Sequence, residues 1–127
     1  MSEEGQSSLI PIYNSKGDAD VYLAYPHLFN RTGDWIGFVN EKREVYSVLG
    51  YYVGYLSDDR RILRKRTEDT LPRIPPPPRP QKRIIVPGSA PLAPLMKELT
   101  HSIVDVLLEE PERLHTADSG ELREDLD

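Results

Sequence analysis

Apolar and polar positions alternate in short runs through residues 9–65, and the runs recur as three copies of one unit. Ile12-Tyr13-Asn14, Leu28-Phe29-Asn30 and Val45-Tyr46-Ser47 each set an aliphatic, an aromatic and a short polar residue in a row. Gly17, Gly33 and Gly50 follow four places after the aromatic. Tyr22-Leu23, Phe38-Val39 and Tyr55-Leu56 begin nine places after it, and the copies are 16 and 17 residues apart. An Asn-x-x-Gly centre flanked by β-branched and aromatic residues predicts a hairpin, with glycine taking the positive φ that closes the turn. Residues 24–27, 40–43 and 57–60 also read as turns. The pattern therefore predicts a meander of about seven short strands, from near Leu9 to Ile62-Leu63.

The second strand of each unit carries Val21 and Leu23, Gly37 and Val39, or Gly54 and Leu56 on one face. The other face carries Asp20 and Tyr22, Ile36 and Phe38, or Val53 and Tyr55. A small-then-aliphatic face repeated three times suits strands converging on a crowded axis, with the aromatics packed between neighbouring hairpins. The expected fold is mainly β, a closed radial arrangement of three to four hairpin repeats that protects its own edges. A fourth copy should begin at Ile62-Leu63, but Arg66 and Thr67 stand where its glycine belongs. Residues 82–86, the next β-branched run, are expected to return as an eighth, closing strand.

The tandem pattern of aromatic-Asn-x-x-Gly followed by Gly-aromatic-aliphatic resembles the four-fold β-flower domain proteins of bacteria, which also follow their repeats with a tail containing Pro and Lys/Arg. The resemblance spans roughly residues 9–65. It implies a small closed β domain of four hairpin-like units, with Gly17, Gly33, Gly50, Gly37 and Gly54 as structural glycines. It implies no activity. The missing fourth glycine departs from the pattern, and leaves closure to this chain or to a partner.

Beyond the repeats the composition changes. Nine of the 12 prolines lie between Pro72 and Pro94, so residues 67–81 read as a polyproline linker or a strap on the domain's aromatics. Leu92, Leu95, Met96, Leu99, Ile103, Val106 and Leu107 fall at the spacing of an apolar helical stripe. With Pro91 in the first turn and Ser89 or Ala90 as cap, they predict an amphipathic helix over 89–110. Its apolar face would dock on the β domain, pair with its copy, or enter a partner's groove. Residues 1–7 are expected to be a flexible start, 8–66 the β domain and 111–127 an acidic disordered tail.

Charge divides the chain the same way. Residues 1–59 carry nine acids and four bases, 60–83 nine bases and two acids, and 84–127 ten acids and three bases. Arg60, Arg61, Arg64, Lys65 and Arg66 form a candidate anion or nucleic-acid contact, with Trp35, Tyr51 and Tyr52 as stacking candidates. The acidic balance (net charge −5) and the acidic block after it argue for pairing within the chain instead.

Zero cysteines exclude disulfides and thiolate chemistry. They fit a reducing compartment, and with no signal pattern at the N-terminus the expected location is cytoplasmic. No run approaches the roughly 18 apolar residues of a membrane span. His101 and Asp105 at i, i+4 read as an exposed helix pair, with His27 and His115 elsewhere, and Asp18 and Asp20 as turn chemistry. Asn30-Arg31-Thr32 is a sequon that reads as turn chemistry too. No catalytic motif is present, and neither a cofactor nor a metal site is expected. The reading is a non-enzymatic interaction or scaffold protein, its partner another protein or a second copy, with nucleic acid as the alternative.

Overall fold

The computed structural model describes residues 9–67, 72–81 and 83–117. Eight strands follow one another: β1 Ile10–Tyr13, β2 Ala19–Ala24, β3 His27–Asn30, β4 Trp35–Val39, β5 Glu44–Ser47, β6 Tyr52–Leu56, β7 Ile62–Lys65 and β8 Ile103–Asp105. They form one antiparallel sheet in chain order, curled into a half-barrel. The first seven are the meander expected from the pattern. The expected flexible start, 1–7, lies outside the described residues.

Except for the two-residue turn at Tyr25-Pro26, the turns from β1 to β7 share one construction. Asn14 Oδ1 accepts hydrogen bonds from the N–H groups of Lys16 and Asp18, Asn30 from Thr32 and Asp34, and Asn40 from Lys42 and Glu44. The Ser47 hydroxyl does the same for Leu49 and Tyr51. The fourth residue is left-handed each time: Gly17, Gly33 and Gly50 within hairpins, but Arg43 (φ 64°) and Arg60 (φ 65°) between them. Arginine thus tolerates the conformation, so positive φ alone does not explain the glycines.

The proline-rich segment explains two of them. It runs back across the hairpin turns as a strap. Ile74 N–H donates to Gly50 O and Ile84 N–H to Gly33 O, both at 3.1 Å. A Cβ added to Gly33 would lie 2.0 Å from Ile84 O, and one on Gly50 2.0 Å from Ile74 O. Glycine is required there because the strap's carbonyls occupy the space of a side chain.

Each hairpin also carries a bulge. Pairing shifts between Ile12 and Tyr13, between Leu28 and Phe29, and between Val45 and Tyr46, so Asp20, Ile36 and Val53 each fall opposite no partner. The bulge breaks the strict two-residue alternation. Ile36 and Val53, read as facing away from Val39 and Leu56, join them in the core instead. Gly37 is needed where the chain crowds, since a Cβ would meet Tyr46 O at 2.5 Å and Leu114 Cδ2 at 2.7 Å.

The C-terminal half corrects several expectations. The eighth strand is Ile103–Asp105, which pairs with β7 through Leu63↔Asp105 and Lys65↔Ile103. Residues 83–86 form no strand; Ile84 serves the strap instead. The helix expected over 89–110 is only α1, Val106–Glu109, followed by a 3-10 turn at Pro111–Arg113. Pro91 and Pro94 withhold donors, while the β-branched pair Ile103-Val104 satisfies the otherwise unpaired edge of β7. Asp105 is not an exposed helix partner of His101. It is buried, accepts from Ser15 N–H at 2.7 Å and caps α1 through Leu108 N–H.

The core joins Ile12, Leu28, Val45, Val53 and Ile62 from the repeats with Val106 and Leu114. Residues 111–117 therefore belong to the folded unit; the rest of the expected disordered tail, 118–127, lies outside the described residues. A smaller cluster stacks Phe38 on Tyr46 (5.4 Å), sets Tyr52 edge-on to Tyr46 and rests Ile74 against them. The aromatics do bridge neighbouring hairpins, and the strap covers them. Gly33→Ala and Gly50→Ala should each cost about 3 kcal/mol, combining left-handed strain with overpacking against the strap. Gly17→Ala, with only Ala93 Cβ nearby at 3.9 Å, should cost about 1 kcal/mol. Urea unfolding of the three variants checks the ranking.

Candidate interaction surface

The basic cluster splits into buried and exposed members. Arg61 and Arg64 are only 2% and 4% exposed. Arg61 pairs with Asp59 at 2.6 Å and donates to Ser15 Oγ and Lys97 O, tying the β1–β2 turn, the β6–β7 turn and the strap together. Arg64 holds Glu110 in a two-pronged contact, with Nη2 to Oε2 at 2.7 Å. Arg66 donates to His101 O and lies 3.8 Å from Glu109. Arg60 and Lys65 face solvent. Two of five candidate cations are thus structural, one paired with Asp59 two residues before it and the other with Glu110 from the C-terminal acidic block.

The ion pairs set two carboxyl groups. Burial alone would raise Asp59, but hydrogen bonds from Arg61 and Ser57 and the Arg61 charge overcome it, leaving the group below its ordinary 3.8. The Arg64 hydrogen bond holds Glu110 below its ordinary 4.5 against burial, with the charges of Arg113 and Arg64 adding. Burial, then the neighbouring Glu44 carboxylate, raises the Tyr46 phenol.

The seven residues expected on one helix face are dispersed. Val106 is fully buried, and Leu107 packs on the core. Ile103 sits on β8, and Met96 and Leu99 are half-buried. Leu92 and Leu95 are 96% and 99% exposed, joined by Ile85 at 93%. The backbone beneath them is fixed nonetheless. Ile84 is bonded to Gly33, Pro91 O accepts from the Tyr13 hydroxyl at 2.7 Å, and Lys97 O accepts from Arg61. Ile85 had no signal in the sequence beyond its apolarity, because its display depends on Ile84 turning inward. Tyr25 and Tyr51 are half-exposed aromatics, and Arg73 lies 4.8 Å from the centroid of the Tyr51 ring. Trp35 is taken up by His27, edge-on at 5.8 Å, and by its own bond to Gly37 O. Tyr52 is buried.

A cavity of about 730 Å³ lies between the strap and β6–β7, lined by Tyr55, Leu63, Leu95, Leu99 and Ile103 among others. Among the described residues no group of three or more His, Asp or Glu side chains could hold a metal, and no helix is long and apolar enough to cross a membrane. Comparison with known proteins finds no matching family model, no matching curated protein and no matching solved structure.

Because both carboxyl groups are lowered on folding, their pairs contribute fully above the ordinary carboxylate range and lose that contribution as pH falls below it. Arg64→Met should destabilise by roughly 2 kcal/mol, less than for a fully buried pair because Glu110 is 24% exposed. It should also flatten the acid limb of the stability curve below 4.5, leaving the Asp59 part. Urea midpoints measured from neutral pH downward report both effects.

Proposed function

We propose that this chain is a non-enzymatic interaction protein whose β domain holds an extended strap in place so that Ile85, Leu92 and Leu95 meet a protein partner. The observation that carries the reading is the pairing of near-complete side-chain exposure with an anchored backbone. A free peptide bearing the same residues would lose backbone freedom on binding; a strap already fixed loses much less. Aliphatic side chains that the fold has not buried, on a segment it has ordered, are features of a recognition surface.

The domain behind the strap is proposed to be a closed ring of four hairpin units, as the resemblance to β-flower domains implies. Three contacts between the first and last units support closure: Tyr13 N–H to Arg60 O at 2.7 Å, Ser15 N–H to Asp105 Oδ2, and Arg61 Nη1 to Ser15 Oγ. The fourth unit would then be β7 with β8, its second strand supplied from beyond the strap. The run Pro75-Pro76-Pro77-Pro78 is proposed to be polyproline II, a stiff spacer between the two docking points at Ile74 and Ile84. Nucleic-acid binding by residues 60–83 remains the rival; internal pairing of Arg61 and Arg64 weakens it.

Ile85→Asp, Leu92→Asp and Leu95→Asp combined should leave stability within about 1 kcal/mol of the parent, since the side chains touch little. The triple variant should lose the proteins that the parent captures by cross-linking in cells, even after nuclease treatment. Equal capture by both would overturn the reading. Capture abolished by nuclease, or by Arg60→Glu with Lys65→Glu, would transfer it to nucleic acid.

A further inference from the structure

The strap treats two hairpin turns alike. At the β5–β6 turn, Arg73 Nε donates to Leu49 O at 2.6 Å, Ile74 N–H donates to Gly50 O, and the guanidinium lies over Tyr51. At the β3–β4 turn, Arg83 Nη2 donates to Thr32 O at 2.5 Å, Ile84 N–H donates to Gly33 O, and Arg83 Nε pairs with Asp34 Oδ1 at 2.9 Å. An Arg-Ile dipeptide is thus read twice by the same three parts. They are a turn carbonyl for the guanidinium, a left-handed glycine for the peptide backbone, and a side chain after the glycine for the positive charge.

The β1–β2 turn carries the same parts without the dipeptide. Lys16 supplies the carbonyl, Gly17 (φ 91°) the bare Cα and Asp18 the carboxylate, matching Thr32, Gly33 and Asp34. Here the strap brings Leu92-Ala93, which has no guanidinium. No strap carbonyl lies against Gly17, whose nearest neighbour in the Cβ direction is Ala93 Cβ at 3.9 Å. Gly17 is exposed where Gly33 and Gly50 are buried. Among the described residues nothing donates to Lys16 O or Gly17 O, and no cation pairs with Asp18. Between this turn and strap residues Val86–Leu92 lies a cavity of about 460 Å³, lined on the β-domain side by Tyr13, Gly17, Asp18, Tyr22 and Arg31. The Arg31 charge on that wall lies 4.0 Å from Asp20.

We propose that the Lys16–Asp18 turn is a docking site for an extended segment of a partner protein in which arginine precedes isoleucine or valine. The guanidinium would bridge Lys16 O and Asp18, the next N–H would donate to Gly17 O, and that residue's carbonyl would pack on the Gly17 Cα. The occupant is assigned to another protein, not a second copy. Of the three Arg-Ile pairs in this chain, Arg61-Ile62 is buried at β7 and the other two are already held on its own turns; releasing one of those would expose the aromatic cluster under Ile74 or break the Arg83–Asp34 pair.

The probe is a synthetic heptapeptide with the sequence of residues 80–86 (PQKRIIV), titrated into the full 15N-labelled chain. Amide shifts should concentrate at Ser15–Ala19 and saturate. Asp18→Lys, or alanine for the peptide's arginine, should weaken binding about tenfold or more, the loss of one charge-assisted pair. Asp18→Glu should largely retain it, and unchanged shifts elsewhere confirm that each variant is folded. Shifts centred on Gly33 or Gly50 would mean that the peptide merely displaces the strap, overturning the assignment. No saturable binding, or binding indifferent to Asp18→Lys, would overturn it too. A dimer seen by sedimentation and abolished by Asp18→Lys would give the site to a second copy, against the proposal. Ile85→Asp with Leu95→Asp should leave peptide binding intact, so this site and the strap surface fail separately.

Discussion

A peptide carbonyl seated against a bare glycine Cα, once at Gly33 and once at Gly50, is the contact on which the arrangement of this molecule depends. It lets the strap come within hydrogen-bonding reach of the hairpin turns, and everything downstream follows from that course. Ile74 reaches the aromatic cluster because Gly50 admits the backbone beside it. The chain then passes Gly33 and Tyr13 before β8 joins the edge of β7, and α1 and Leu114 fill the core behind it. Short, glycine-containing strands bury little apolar area by themselves, so a domain of this size gains much of its core from the returning C-terminal residues.

The repeats were legible because their chemistry is local. Asn30, its two accepted N–H groups and Gly33 span only a few residues, and the aromatic-to-aromatic spacing survives in all three copies. The turns at Arg43 and Arg60 were placed correctly but not recognised as the same construction, because arginine gives no hint of a left-handed backbone. The bulges at Ile36 and Val53 were illegible for a related reason: alternation is a count of two, and one unpaired residue reverses it.

The C-terminal half misled for a different reason. Leu92 through Leu107 satisfy a helical stripe, yet stripe spacing does not distinguish a helix from an extended strap whose apolar side chains point several ways. The informative residues were Pro91 and Pro94, which disfavour continuous helix, and Ile103-Val104, which favour strand. An unpaired edge at β7 then decided the outcome, and that edge exists only in three dimensions. The basic cluster was similarly mixed: Arg61 and Arg64 look like their neighbours in sequence, and only burial beside Asp59 and Glu110 marks them as structural.

The glycines also separate two roles that one motif suggested. Gly33 and Gly50 make room for strap carbonyls, whereas Gly17 shares their backbone with only the Ala93 methyl near it. That contrast distinguishes a finished contact from an open one. The most direct measurement of the account is amide hydrogen exchange along residues 72–102. Ile74 and Ile84, whose N–H groups donate to Gly50 and Gly33, should be protected at levels approaching those of the β strands, while Ile85 and Leu95 exchange freely. Free exchange at Ile74 and Ile84 would mean that the strap is not held, and would contradict the account.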